Sequence, residues 1–393
     1  MRIGIDARWI LSPEKNPSIG VGHYTYQLIR HLLEIDKENQ YVLFFDYRVR
    51  DKDVEKFSKP NVDIKYFPWS DYKKYLPGAY SEILGLATIS KNNLDVLHIT
   101  SPDARVPIGY HGKVICTFQD LAVFKFPKLF PELRKIKAKY NRQAMAKRAD
   151  KIIAVSESMK KDIEDIFNES DKKISVVKNG LDERFFVDRL VKEDNWNGKK
   201  KKFDIKNKYI LFIGTLEPIK NITRLLHAFK SFKEMIKKEK GSFDYQLVLG
   251  GKKGWLGEEY QQIAGDLGIN KDVIFTGYVE GDDMRDLLSH CEFFVMPSLY
   301  EGFGTTVLEA MASKTPILVS DLPTLREIAG KNAVYCNPID VFDMANKMKY
   351  MVLRSSDKEE IEANYNKAKT FSWDKCAKET LNIYREFSEK KIK

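Results

Sequence analysis

Long apolar runs are missing from this 393-residue chain. No stretch of about 18 consecutive apolar residues occurs, which excludes a membrane-spanning helix. The opening residues, Met-Arg-Ile-Gly-Ile-Asp, read directly as a strand and lack the layout of a signal peptide, so a cytoplasmic protein is expected. Cysteine is scarce. Cys116, Cys291, Cys336 and Cys376 are scattered without metal-type pair spacing, which argues against a zinc framework and fits isolated thiols in a reducing compartment. The six histidines form no cluster of ligand spacing either. Low-complexity tracts and internal repeats are also missing. What is present, 43% hydrophobic and 12% aromatic residues, belongs to a globular chain long enough for two full cores.

Acids are outnumbered, and the net charge of +10 calls for an anionic partner or surface. Segment 125–151 concentrates the excess, with ten Lys/Arg against Glu132 and Asp150. Within it Leu133, Ile136, Tyr140 and Ala144 follow helical spacing. Two readings stand: an amphipathic basic helix lying on an anionic membrane surface, or a core-packed helix with a solvated basic face. No nucleic-acid-binding motif accompanies the charge.

Short apolar runs alternate with helical patterns along the whole chain. Strands are expected at 2–6, 41–45, 62–66, 96–99, 114–118, 151–155 and 174–177, then at 209–213, 246–249, 273–275, 293–296, 317–319 and 333–336. Helices such as 24–33 and 157–167 lie between them. Such alternation predicts parallel sheets covered on both faces, an α/β protein of two doubly wound domains with a ligand crevice at the strand carboxyl ends. The polar, charged stretch 194–208 reads as the connection between a first domain, 1–198, and a second, 199–375. The amphipathic pattern that ends the chain predicts a helix over 376–393 that packs back on the first domain.

Two carboxylates stand out in Ser298-Leu-Tyr-Glu301-Gly302-Phe303-Gly304-Thr305-Thr-Val-Leu-Glu309. A buried strand precedes them and an apolar helix follows, so Glu301 falls in the loop and Glu309 about one turn into the helix. Gly302 and Gly304 allow close approach of a ligand, and free N–H groups at the helix start favour an anion. The plain alternative is a strand-turn-helix with Glu301 near the cap and Glu309 in solvent. A second strand, 209–213, runs into Gly214-Thr215-Leu-Glu-Pro-Ile-Lys220-Asn221, which places a lysine at a helix start where it can neutralise a phosphate. Gly20-Val-Gly22 is no dinucleotide fingerprint: Thr25 stands where a third glycine is needed, and a long loop separates it from the first strand.

Taken together these segments resemble the retaining GT-B glycosyltransferases of glycosyltransferase family 4 (glycosyl transferases group 1), whose two Rossmann-like domains face a central cleft. Glu301-Gly-Phe-Gly…Glu309 is similar to the family's E-x7-E signature, and 214–221 to its phosphate-binding turn. Ile19-Gly20-Val-Gly22-His-Tyr24 resembles its first glycine loop, and Asn179-Gly180-Leu-Asp182 the block closing its first domain. The Val248-Leu-Gly-Gly-Lys-Lys-Gly-Trp255 block and the Glu-Pro-x-Lys-Asn turn resemble bacterial mannosyltransferases of polysaccharide assembly.

The resemblance implies particular roles. Glu309 accepts hydrogen bonds from the nucleotide ribose, and Glu301 contacts the transferred sugar. Backbone amides around Gly302, Phe303, Gly304 and Thr305 meet the distal phosphate. Lys220, beside Gly214 and Thr215, neutralises the diphosphate as it leaves. Gly20 and Gly22 close over that diphosphate, and the nucleobase rests near Gly277, Tyr278 and Val279. It implies a cytoplasmic hexosyltransferase, peripheral at the inner face of the membrane, acting on a glycan or lipid-linked acceptor. The donor is GDP-mannose, with UDP-glucose or a UDP-N-acetylhexosamine as alternatives. A nucleotide-sugar epimerase or a phosphorylase of the same fold, and a silent nucleotide- or glycan-binding scaffold, are the rival functions.

Three departures from the family pattern matter. Gln119-Asp120 stands where relatives carry His-Asp, so Gln119 reads as a sugar contact that cannot take up a proton. Ile219 replaces an arginine of the phosphate turn, and Thr305-Thr306 offers hydroxyls that could cap the helix. Asp282-Asp283 reads as a helix cap, and with Lys220 and a helix dipole at hand no metal or other cofactor is expected.

Overall fold

The structure, a computed structural model, describes residues 1–10, 20–46, 48–67, 79–186, 193–252, 257–279, 281–354 and 357–389. The described residues contain two parallel sheets. The first holds β1 (Arg2–Asp6), β2 (Gln40–Asp46), β3 (Val62–Phe67), β4 (Val96–Ile99), β5 (Lys113–Phe118), β6 (Lys151–Ala154) and β7 (Ile174–Val176), in the order β3-β2-β1-β4-β5-β6-β7. The second holds β8 (Lys208–Ile213), β9 (Tyr245–Gly250), β10 (Val273–Gly277), β11 (Phe293–Met296), β12 (Ile317–Ser320) and β13 (Val334–Cys336), in the order β10-β9-β8-β11-β12-β13. Each expected strand is present, displaced by at most two residues at an end. Helices on both faces leave the strands no wet side, which is why β4 and β11 are buried at every position and read as unbroken apolar runs. In each sheet the order reverses beside the first strand, between β1 and β4 and between β8 and β11. Ligands of doubly wound sheets bind at such switch points.

The chain forms two compact units, Met1–Gly180 with Ser372–Lys393, and Leu181–Phe371. In the first, the helix Val21–Ile35 lays Tyr24, Leu28 and Leu32 against Ile3, Ile5 and Leu43. Each such leucine contributes about 1.5–3 kcal/mol by leaving water. The helix Trp373–Glu389 closes this core with Cys376, Ala377 and Tyr384. Buried His98 joins the two helices to the sheet: one ring nitrogen lies 2.7 Å from the Tyr384 hydroxyl and the other 2.8 Å from Thr117 Oγ1, itself 3.1 Å from the Tyr24 hydroxyl. In the second unit Leu225, Phe229 and Phe232 of the helix Ile222–Lys240 meet Met344 and Met348 of the helix Val341–Leu353. All four cysteines are buried thiols.

Two expectations need correction. The stretch around 194–202 is no linker, and the units divide at Gly180/Leu181 rather than at 198/199. It forms the helix Glu193–Lys202, pinned into the second unit by Trp196, which stacks on His290 at 4.1 Å, and by Lys199, which pairs with Asp283 at 3.1 Å and with Asp286. One aromatic anchor and two lysines, Lys199 and Lys202, hold a segment whose composition is almost wholly polar. The second correction concerns the basic segment, which forms the helix Glu132–Arg148. Its core contacts come from Ala138, Asn141, Met145 and Ala146, whereas Leu133, Ile136 and Tyr140 are 84%, 62% and 67% exposed. The helix is therefore core-packed, but through a different face: the stripe of Leu133, Ile136 and Tyr140 expected to pack inward faces outward.

Candidate active site

At the second switch point, the turn after β8 and the turn after β11 are stitched together. The Leu299 N–H donates to the Ile219 carbonyl at 2.9 Å. Asn221 takes the left-handed conformation (φ 63°), which asparagine tolerates better than most residues. Its buried amide donates to the carbonyls of Pro297 at 3.0 Å and Pro338 at 2.6 Å, tying the loops after β11 and β13 to the start of the helix Ile222–Lys240. On this frame the Lys220 ammonium meets Glu301 Oε1 at 2.6 Å, and the Ser298 hydroxyl donates to the same oxygen at 2.6 Å. Among the described residues, Glu301 Oε2 has no hydrogen-bond partner. The sequence placed Lys220 and Glu301 in separate motifs; the fold makes them one ion pair. Ser298 was visible only as a loop residue, and nothing in its spacing marks it as the group that orients Glu301.

The helix after β11, Thr305–Ala312, begins at Gly304, and it is this glycine rather than a threonine that serves as the cap residue. Gly304 has φ 100°, a conformation that favours glycine, and a Cβ there would lie 2.9 Å from Leu325 Cδ2, so that methyl would have to shift. Phe303 is buried edge-on against Phe371, and Gly302 is buried beside it. On the other side of β8, the Gly214 N–H donates to the Gly250 carbonyl, and the Gly251 N–H donates to that of Gly277. A Cβ on Gly251 would stand 1.8 Å from the Gly214 carbonyl oxygen. These contacts bring Gly214, Thr215 and Gly277 to one edge of the sheet. There Tyr278 is exposed with the Lys252 ammonium 4.9 Å from its ring centre, and Val279 turns inward.

Glu309 lies about one turn into its helix, and the solvated reading fails for it. The side chain is largely covered, and burial pushes its pKa up to about 7 from the ordinary 4.5. The Arg184 charge opposes that rise and Asp182 adds to it. Arg184 acts on Glu309 from the short turn Glu183–Phe185, a neighbour that no sequence pattern marks. Asp283, read as a helix cap, sits in the first turn of the helix Gly281–His290, where its partners are Lys199 and Lys202.

The remaining site residues belong to the first unit. Gly20 (φ 64°) is the cap residue of the helix Val21–Ile35. Gly22 lies inside that helix's first turn rather than in a loop, and residues 11–19 before it are outside the described residues. Gln119 follows β5, and its Oε1 accepts a hydrogen bond from the Asn179 side chain at 3.2 Å. One group among the described residues, His31, Glu34 and Asp374, could bring ligand atoms to a metal ion, and it belongs to the first unit, whereas Lys220 and Glu301 belong to the second.

Comparison with known proteins assigns the class. Residues 194–369 match the family described as Glycosyl transferases group 1, and residues 19–185 match Glycosyltransferase Family 4. Between them these matches take in most of the chain, and the protein belongs to this family of GT-B glycosyltransferases. The O-antigen chain mannosyltransferase B of Escherichia coli is 27% identical over 95% of this chain and 97% of its own length. The O-antigen chain mannosyltransferase RfbU of Salmonella typhimurium is 31% identical over 57% of this chain and 56% of its own. Among solved structures, WaaG, a glycosyltransferase involved in lipopolysaccharide biosynthesis, superposes with a TM-score of 0.72 at 13% identity, covering 97% of this chain and 99% of its own. Anabaena HepE in complex with UDP and glucose gives 0.71 at 16% identity, over 98% and 100%. These structures share the fold of two Rossmann-like domains.

Proposed function

We propose that this glycosyltransferase moves mannose from GDP-mannose to a glycan or lipid-linked acceptor in cell-surface polysaccharide synthesis, with retention of configuration and without a metal ion. The observation that carries the reading is the Lys220–Glu301 pair at the switch point of a group 1 domain. The likeness over nearly the whole chain to an O-antigen mannosyltransferase supports the choice of sugar.

In this reading the second domain binds the donor and the first the acceptor. Lys220 turns toward the diphosphate, and Glu301, oriented by Ser298, offers Oε2 to the sugar hydroxyls. The N–H groups at the start of the helix Thr305–Ala312 face the distal phosphate. Glu309 accepts from the ribose. As the bond from C1 to the phosphate oxygen breaks, negative charge grows on the diphosphate, where Lys220 stabilises it most. The acceptor oxygen bonds C1 on the same face, and its proton passes to the departing phosphate oxygen. Gln119 contributes hydrogen bonding without proton transfer.

The exposed stripe on the helix Glu132–Arg148 suits a peripheral place on an anionic membrane. Leu133, Ile136 and Tyr140 provide apolar surface, and Arg134, Lys137 and Lys139 flank it with the opposite charge to the lipid.

The test is incubation with GDP-mannose, UDP-glucose or UDP-N-acetylglucosamine, each with and without an acceptor glycan, followed by chromatography of the sugars. Mannose transfer from GDP-mannose is expected. Transfer from a UDP-sugar alone would replace the donor, and an epimer formed without acceptor would replace the transferase. Nucleotide binding without any turnover would leave a silent scaffold.

A further inference from the structure

We infer that Asn179 is a positioning residue for Gln119, and that the two amides form a hydroxyl-binding pair at the carboxyl edge of the first sheet. The inference rests on the reading of Gln119 as a sugar contact. Gln119 directly follows β5 and Asn179 lies just beyond β7, two strands away across β6. Their side chains span that gap with one hydrogen bond, from Asn179 Nδ2 to Gln119 Oε1 at 3.2 Å.

The other half of the pairing is not made. Gln119 Nε2 and Asn179 Oδ1 are both buried, and neither has a hydrogen-bond partner among the described residues. Two amides that served only each other would close a ring of two hydrogen bonds. This pair instead leaves one donor and one acceptor over, and buried polar atoms left unmatched are costly. A sugar hydroxyl both donates and accepts, so sugar hydroxyls are groups of the right kind to match the donor and the acceptor left over.

Direction follows from the bond that is made. Because Asn179 donates to Oε1, the Gln119 N–H is the group left for a ligand to match. Asn179 is only 6% exposed, and its neighbour Gly180 is pressed against the start of the C-terminal helix. A Cβ on Gly180 would stand 2.3 Å from the Trp373 backbone nitrogen and 2.5 Å from its Cγ. The orienting amide therefore sits on a closely packed support, which a positioning group needs.

Asn179→Asp tests this with almost no change of shape. A carboxylate cannot donate to Oε1; it accepts from Nε2 and turns the Gln119 amide round, so that a carbonyl faces the sugar. We expect kcat/KM for sugar transfer to fall about 10–100-fold, the usual cost of an unmade buried hydrogen bond. Affinity for the nucleoside diphosphate alone should stay as in the wild type. In a Gln119→Ala background the same substitution should cost nothing more, because Asn179 acts through Gln119. Additive losses, or full transfer by Asn179→Asp, would overturn the inference. Should that variant fail to fold, Gln119→Glu asks the same question, since it keeps the Asn179 bond and puts an acceptor where the N–H stood; unchanged transfer would again overturn it. A wild-type protein that transfers no sugar from any donor would remove the transferase reading and this inference with it, a result distinct from an active enzyme indifferent to position 179.

Discussion

Lys220 and Glu301 are 81 positions apart in sequence and 2.6 Å apart in the folded chain. Neighbouring strands β8 and β11 bring them together, and the pair holds a cation ready on the loop that the proposed reaction would use. The carboxylate uses one oxygen for both Lys220 and Ser298, and the other has no hydrogen-bond partner among the described residues.

Removing either end of the pair should stop chemistry. Lys220→Ala is expected to lower kcat at least 100-fold, since the leaving diphosphate loses its cation. It also leaves a mostly covered carboxylate with Ser298 alone, at a cost of about 2 kcal/mol in stability. Ser298→Ala should be milder, about 3–10-fold in kcat/KM, because Glu301 keeps the lysine but loses an orienting donor. Steady-state kinetics with urea denaturation of each variant checks both.

Glu309 should make nucleotide binding depend on pH. Its carboxyl, raised by burial to about 7 from 4.5, is protonated at neutral pH more than an unfolded glutamate is. A raised acid contributes stability below pH 4.5 and loses it as pH rises through 7. Glu309→Gln, which stays neutral, is therefore expected to be more stable than wild type at pH 8.5, by up to about 3 kcal/mol. Nucleotide affinity should strengthen above pH 7 in the wild type, where the acceptor carboxylate forms, and be weaker and flat with pH in Glu309→Gln. Calorimetric titration with GDP and UDP at pH 6 and 8.5 measures this.

His98 should make the first unit acid-sensitive. Burial holds its pKa down at about 3 from 6.5, with the Asp6 carboxylate pulling weakly the other way. Between those values the unfolded chain binds the proton and the folded chain does not, so stability is complete above pH 6.5 and falls as pH drops toward 3. The slope is about 1.4 kcal/mol per pH unit, or about 2 kcal/mol between pH 6.5 and 5. Thermal scans of wild type and His98→Gln across that range should show the variant less stable at neutral pH and less dependent on pH.

The exposed stripe should be dispensable for folding and necessary for lipid binding. Replacing Leu133, Ile136 and Tyr140 together by Glu is expected to leave the melting temperature unchanged, since all three face outward. The same change should abolish flotation with vesicles containing anionic phospholipid. Equal flotation by wild type and variant would make the stripe mere surface.

Much of this was legible beforehand, for a physical reason. Strands buried on both faces, such as Val96–Ile99 and Phe293–Met296, can be recognised by composition alone, and Ser156 capping Glu157–Phe167 is a local signal. Local signals failed where one long-range contact decides. The helix Glu193–Lys202 looks like a linker because its place depends on Trp196 meeting His290, nearly a hundred residues on. Periodicity located the stripe of Leu133, Ile136 and Tyr140, but a period has no inside or outside. In the site, glycines and carboxylates stood out because turns and ligands demand them. Ser298, Arg184 and Asn179 matter through partners elsewhere in the chain, and their types are unremarkable at any surface turn.

The helix Trp373–Glu389 belongs to the unit that Met1 begins, so the order of synthesis bears on folding. Residues 1–180 lack the wall formed by Cys376, Ala377 and Tyr384, and His98 lacks the Tyr384 hydroxyl, until residues 373–389 have also been made. The second unit is contiguous, and its ends are already joined by the bond from the Leu181 N–H to the Phe371 carbonyl at 3.1 Å. The domain made later can therefore finish folding first, while the earlier one waits with an open core for the helix that ends the chain's last described segment.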